Sequence, residues 1–161
     1  MHISTIEDFM WPEIIGLQRQ AYIHLLPESE IVLKSKWQSA PETCFVCRME
    51  NKVVAYLLAH GWSGEILPKL HQVMVGPLDS ERLLIHDLVV SPQQAGHGIG
   101  SRLVLHTIET AREHRYRQAT LVAVQGASPF WAKMGFVKDL SLQVSSDYGA
   151  DAVAMSKSLA S

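Results

Sequence analysis

Ile85-His86-Asp87-Leu88-Val89-Val90-Ser91-Pro92-Gln93-Gln94-Ala95-Gly96-His97-Gly98-Ile99-Gly100-Ser101 is the stretch that decides how this chain is read. The apolar run over residues 83–90, interrupted by His86 and Asp87, predicts a buried central strand. Residues 91–98 form a turn. Residues 99–114 predict a helix with Leu103, Val104, Ile108 and Ala111 on one face. A helix start exposes four unpaired N–H groups and carries a partial positive charge. Glycines let the backbone come close and take positive φ, so consecutive N–H groups can converge on one anion. The unit reads as a phosphate pocket, although glycines before a helix also make simple turns. It lacks the G-x-x-x-x-G-K-[ST] pattern of nucleotide hydrolases, and its glycines lack G-x-G-x-x-G spacing.

Working outward, Met10, Ile14, Leu17, Ala21 and Leu25 step by four, three, four and four, which predicts a helix. Thr5-Ile6-Glu7-Asp8 resembles a capping box before it, with Pro12 in the first turn. A short helix follows over residues 30–37. Residues 43–49 and 52–59 predict a hairpin across Glu50-Asn51. Residues 61–80 form a long irregular connection, a length that is uncommon unless the loop has a task. Beyond the central helix come a buried strand over 119–124, a short helix over 128–134 ended by Gly135, and strands over 136–144 and 152–157. The order describes one mixed α/β domain spanning residues 1–161.

Two motifs now stand in order. Val90-Ser91-Pro92 followed by Ala95-Gly96-His97-Gly98-Ile99-Gly100 looks like the coenzyme A loop of the GNAT superfamily of N-acetyltransferases. Phe130-Trp131-Ala132-Lys133-Met134-Gly135-Phe136 resembles that family's F-Y-x-x-x-G-F segment. The predicted element order agrees over nearly the whole chain. The resemblance implies a GNAT-like α/β domain. Its central sheet would be mixed and mostly antiparallel, with one splayed parallel strand pair and about four flanking helices. It implies acetyl-CoA as co-substrate and transfer of an acetyl group, not an aminoacyl group, to a primary amine. The pantetheine arm would pair with the backbone of Leu88 and Val90 like an added strand, beside Val89. The N–H groups of Ala95, Gly96, His97, Gly98, Ile99, Gly100 and Ser101 would hold the pyrophosphate. Gln125, Phe130 and Trp131 would complete the coenzyme site. A substrate amine would attack the thioester directly, helped by proximity.

Two positions depart from the family pattern. Ala95 stands where Arg or Gln is usual, with Gln94 and His97 as nearby replacements. Trp131 stands where a tyrosine often protonates the leaving thiolate, and an indole cannot do that. These departures keep a second expectation open, an acyl-CoA-binding sensor or partner module with little turnover.

For proton transfer, His86 is placed on the strand beside the expected acyl site and has a suitable intrinsic pKa. Asp87 is adjacent, facing the other way if the strand is regular, whereas a bulge would change that. Alternatively the two form a buried structural pair. Tyr148, in the polar turn before the last strand, is either a general acid, a pocket wall, or an exposed turn residue. Trp62, Ser63, Glu65 and His71 lie in the long loop and are expected to border the acceptor pocket. His106 and His114 are expected on the helix surface. His24, His60 and His71 share no ligand spacing.

The composition bounds the rest. The chain has 161 residues, 47% hydrophobic, with a net charge of −2. That size suits one domain with its own core. The near balance argues against a nucleic-acid partner, which usually brings a basic stripe. No apolar run approaches membrane-spanning length and no basic-then-apolar leader opens the chain, so a cytoplasmic protein is expected. Cys44 and Cys47 are the two cysteines. On a strand they face opposite sides, and no second pair completes a zinc site, so no metal is expected. The acceptor is expected to be a small-molecule or peptide amine. A homodimer is common in the family, and nothing in the sequence decides it.

Overall fold

A computed structural model describes residues 1–22 and 26–160. Its helices are α1 (Trp11–Ala21), α2 (Glu30–Ser39), α3 (Ile99–Glu113) and α4 (Ser128–Lys133). Its strands are β1 (His2–Thr5), β2 (Phe45–Met49), β3 (Lys52–Gly61), β4 (Arg82–Val90), β5 (Gln118–Ala123), β6 (Val137–Lys138) and β7 (Val153–Ser158). They form one sheet in the order β1-β2-β3-β4-β5-β7-β6. Only β4 and β5 run parallel, as a crossover through α3 requires. The expected α/β architecture is therefore present.

The sheet is covered on both faces. Ala55, Leu57 and Ala59 of β3 pack with Leu103, Val104 and Ile108 of α3. Tyr56 and Leu58, which alternate with these, pack with Ile14 and Leu17 of α1 and Leu33 of α2. This two-residue period makes β3 buried almost end to end. Cys44 and Cys47 fall into the two different cores and are free thiols. The β2–β3 turn uses Glu50 and Asn51, both at positive φ (52° and 63°), as a two-residue hairpin turn demands.

Two expectations are corrected and two open alternatives are decided. Thr5 does not open a helix: it ends β1, an edge strand paired with β2, and the cap lies at Glu7 before a short 3₁₀ turn. Four residues of an edge strand are too short for a periodic signal. The strand expected over 136–144 is reduced to Val137–Lys138, because Asp139 turns the chain. Its carboxylate accepts from Ser141 and Ser156, and its N–H donates to Ala154. Of the two strand forms left open at His86 and Asp87, the structure has the bulged one. Tyr148 is buried and not an exposed turn residue. Leu25, counted in the first helical stripe, and His24 lie outside the described residues.

Candidate active site

The parallel pairing of β4 and β5 runs from Arg82↔Gln118 to Ile85↔Leu121 and stops there. Beyond Ile85, β4 pairs only with β3. The two strands open into a wedge. Ser91 N–H donates to Val54 O at 2.8 Å. By antiparallel alternation, Val89 and Ser91 turn their main-chain groups to β3, while Leu88 and Val90 turn theirs into the wedge. A cavity of about 220 Å³ fills the wedge, bordered by Leu88, Val89, Val90, Gln125 and Trp131 among others. Gln125, at φ 52°, also reaches across to Ala21 O at 3.4 Å.

The glycine loop sits at the end of the wedge. Gly96 and Gly98 have φ of 83° and 76°, and no atom lies within 4 Å of where their Cβ atoms would be. Gly98 is the cap of α3. Among the described residues, the N–H groups of Gly96, His97, Gly98, Ile99, Gly100 and Ser101 have no backbone acceptor. That is the orphan set a helix start leaves for an anion. Ala95 differs from the expectation: its N–H donates to Pro92 O at 3.3 Å, closing a 3₁₀ turn. Gln94 lines a separate cavity with Glu13 and Lys52. A Cβ at Gly100 would meet Val90 at 3.5 Å and Phe130 at 3.6 Å, which is ordinary van der Waals contact. Trp131 is buried edge-on between Phe130 and Phe136, and it lines the wedge cavity.

A second, smaller cavity of about 40 Å³ adjoins the wedge. Its wall comes from Tyr22, Leu26, Pro27, Glu28, Leu70, His86, Asp87 and Tyr148. Loop residues 62–81 supply Leu70 to it, and not Trp62, Ser63, Glu65 or the His71 side chain. Instead, His71 N–H donates to Glu28 Oε2 at 2.9 Å, Lys36 Nζ donates to Gln72 O at 2.7 Å, and Met74 N–H donates to Ser35 Oγ at 2.9 Å. Three bonds thus pin the loop to α2 and the segment before it. The bridge Ile66↔Gln143 ties its other side to the segment after β6.

The bulge decides which side chains face this cavity. Leu58 pairs with Asp87 and Ala59 with Ile85, so His86 is the extra residue. His86 and Asp87 consequently lie on the same face, the one covered by α1. His86 Nε2 lies 2.5 Å from Glu28 Oε1, and the two side chains are only 3% and 6% exposed. Asp87 accepts from Tyr22 OH at one oxygen and from Tyr56 OH at the other, the latter at 2.6 Å. Burial pushes the Asp87 carboxyl upward, against His86 and the two hydroxyls. Burial also works to raise Glu28, but the charge and hydrogen bond of His86, the His71 N–H and Lys36 outweigh it and hold it down to about 2. Burial raises the phenols of Tyr22 and Tyr148, with nearby carboxylates adding to it. Tyr148 OH donates to Pro68 O at 3.0 Å.

The expected residues therefore fall into two groups. Leu88 to Ser101, Gln125, Phe130 and Trp131 surround the wedge and its loop. His86, Asp87 and Tyr148 meet at the smaller cavity. Glu28, Tyr22 and Tyr56 were missed, because they come from α1, its following segment and β3, far off in sequence. His106 and His114 lie on the outer surface of the α3 region as expected. Among the described residues, no group of three His, Cys, Asp or Glu is placed to hold a metal, and no helix is long and apolar enough to cross a membrane.

Solved structures share this fold. The loading GNATL domain of CurA from Lyngbya majuscula superposes with a TM-score of 0.81 at 10% identity, covering 98% of this chain and 97% of that one. The ribosomal-protein-S18-alanine N-acetyltransferase from Escherichia coli gives 0.70 at 18% identity, covering 99% and 94%. The PaiA N-acetyltransferase from Thermoplasma acidophilum, in complex with coenzyme A, gives 0.69 at 13% identity, covering 98% of each. Among curated proteins no sequence matches this chain. The sequence pattern of the Acetyltransferase (GNAT) family matches residues 11–136, from α1 through the glycine loop to Phe136. With the wedge, the loop-opened helix and that match in hand, this chain belongs to the GNAT acetyltransferase family.

Proposed function

We propose that the chain is an acetyl-CoA-dependent N-acetyltransferase acting on a primary amine, with residues 1–161 as its single catalytic domain. The observation that carries this reading is the join between the two cavities. Tyr22, His86, Asp87, Val122 and Val124 line both. Coenzyme A fits the wedge chemically. Leu88 and Val90 offer main-chain groups to the amides of the pantetheine arm. The N–H groups from Gly96 to Ser101 offer donors to the pyrophosphate, and the open space beside Gly96 and Gly98 leaves room for it. The amine enters from the smaller cavity and meets the thioester at the join. Its nitrogen bonds to the carbonyl carbon, the C–S bond breaks, and sulfur leaves with the bonding pair. Holding both reactants at the join supplies much of the acceleration. His86 is the proton acceptor, as the one imidazole among the described residues that faces both cavities. Asp87 does not serve, since each of its oxygens is occupied by a tyrosine hydroxyl.

The first test is calorimetric titration with acetyl-CoA and with free coenzyme A, followed by thiol release with a panel of small primary amines and peptides. Saturable binding and turnover with at least one amine are expected. Binding without turnover over a broad panel would favour a sensor or partner module, and no binding would overturn the reading.

A further inference from the structure

Glu28 belongs to neither motif, yet its backbone and its carboxylate are both held at the smaller cavity. It immediately precedes Ser29, the cap of α2. Its backbone is clamped from both sides by Gln18: Gln18 Nε2 donates to Glu28 O, and Glu28 N–H donates to Gln18 Oε1, each at 2.9 Å. Gln18 is itself 2% exposed. Both carboxylate oxygens are then spoken for, Oε2 by the His71 N–H and Oε1 by the His86 ring. Lys36, fully buried, stands close enough to favour its charge.

This geometry fixes a tautomer. An ionised carboxylate only accepts hydrogen bonds. The ring nitrogen facing it must donate, so the neutral His86 ring carries its proton on Nε2. Nδ1 keeps a lone pair and has no hydrogen bond among the described residues. The other candidate proton carriers are committed. Tyr22 donates to Asp87 and Tyr148 donates to Pro68 O. Trp131 has no acidic proton to give at neutral pH.

We propose that Glu28 is the positioning residue of the reaction, holding His86 so that Nδ1 both takes the amine proton and returns it to the departing sulfur. The proposal rests on the assignment of His86 as proton acceptor. The protons balance. As the amine nitrogen bonds to the thioester carbon, its N–H proton passes to Nδ1 and the ring becomes an imidazolium. As the C–S bond breaks, the thiolate takes that proton, and the ring returns to its starting form. No separate acid is required, which accounts for a tryptophan at position 131. Glu28 stabilises the imidazolium between the two transfers. Through Oε2 it also makes the ring's placement depend on closure of loop 62–81. The groups facing the imidazole are Glu28 from the segment before α2, His60 from β3 at a ring distance of 6.4 Å, Asp87 from β4, and Tyr22 and Tyr148 in the cavity wall.

Two measurements test this. Nitrogen-15 NMR of the intact wild-type protein at pH 8 should show His86 as the Nε2–H tautomer, and an Nδ1–H tautomer overturns the proposal. In thiol-release assays at saturating acetyl-CoA, Glu28→Gln should lower kcat by about 10–100-fold, as loss of an orienting carboxylate does elsewhere. Acetyl-CoA affinity should hold, and Glu28→Asp should recover part of the rate. An unchanged kcat in Glu28→Gln would overturn Glu28's role. An unchanged pH–rate profile in His86→Gln would instead remove the His86 assignment beneath it.

Discussion

The two halves of the site are built by opposite means. The loop half is one continuous stretch of main chain. Gly96 and Gly98 sit at positive φ with open space above them, and six successive N–H groups lack backbone acceptors among the described residues. The cavity half is made of buried side chains from α1, the segment before α2, β3, β4 and the turn before β7. In it, Glu28, His86, Asp87, Tyr22 and Tyr56 hold one another. A backbone cradle presents donors and needs little from side chains. A buried network works only if each member is satisfied, and each member depends on long-range packing.

The comparison breaks most sharply at Gly98. Gly98→Asp adds a carboxylate at the helix start where the anion is proposed to sit. An acidic residue tolerates the left-handed backbone better than most, so the fold should survive. Acetyl-CoA affinity should fall about thousandfold, or about 4 kcal/mol, with the thermal midpoint lowered by no more than a few degrees, the cost of a side chain at a φ of 76°. Unchanged affinity by calorimetry would refute the cradle.

The cavity half should respond to acid. Glu28 is held from its ordinary 4.5 down to about 2 in the folded chain. A carboxylate depressed by folding stabilises the protein above its unfolded pKa. That stability is lost as pH falls from about 4.5 toward 2, and amounts to up to about 3 kcal/mol. His60 adds an earlier step. Burial chiefly, then the neighbouring His86 and Lys36, hold its imidazole down to about 3. The unfolded chain binds that proton first, so the loss begins as pH falls below 6.5. The thermal midpoint should decline in two overlapping stages. Glu28→Gln should flatten the lower stage and leave the upper one. An unaltered decline in that variant would remove the carboxylate from the stability of the cavity half.

The same contrast explains what could be read without coordinates. The loop half was legible because its chemistry is local: a strand, glycines at fixed offsets and a helix start follow one another within seventeen residues. The opposed placing of Cys44 and Cys47 was legible for the same reason. The cavity half was legible only at His86, Asp87 and Tyr148. Their neighbours Glu28, Tyr22 and Tyr56 carry no periodic or motif signal. The orientation of Asp87 was open because one extra residue in β4 reverses the alternation. No propensity marks that bulge in Leu84-Ile85-His86-Asp87. Strand β1 escaped notice because four residues at a sheet edge give too short a pattern to count.

The smallest expected effect sharpens the comparison from the loop side. Ala95 is exposed, and its N–H is already used by Pro92. Its side chain therefore contributes no donor to the cradle. Ala95→Gln adds an amide at the rim, where a hydrogen bond to a phosphate competes with water and the side chain loses rotamer freedom. The net gain should stay below about 1 kcal/mol, a rise of about threefold in acetyl-CoA affinity. Calorimetry of the variant beside the wild type reads this directly. A gain of a hundredfold or more would mean that side chains, and not the main chain, dominate phosphate binding. The opposition between a backbone-built loop and a side-chain-built cavity would then fail on the loop side.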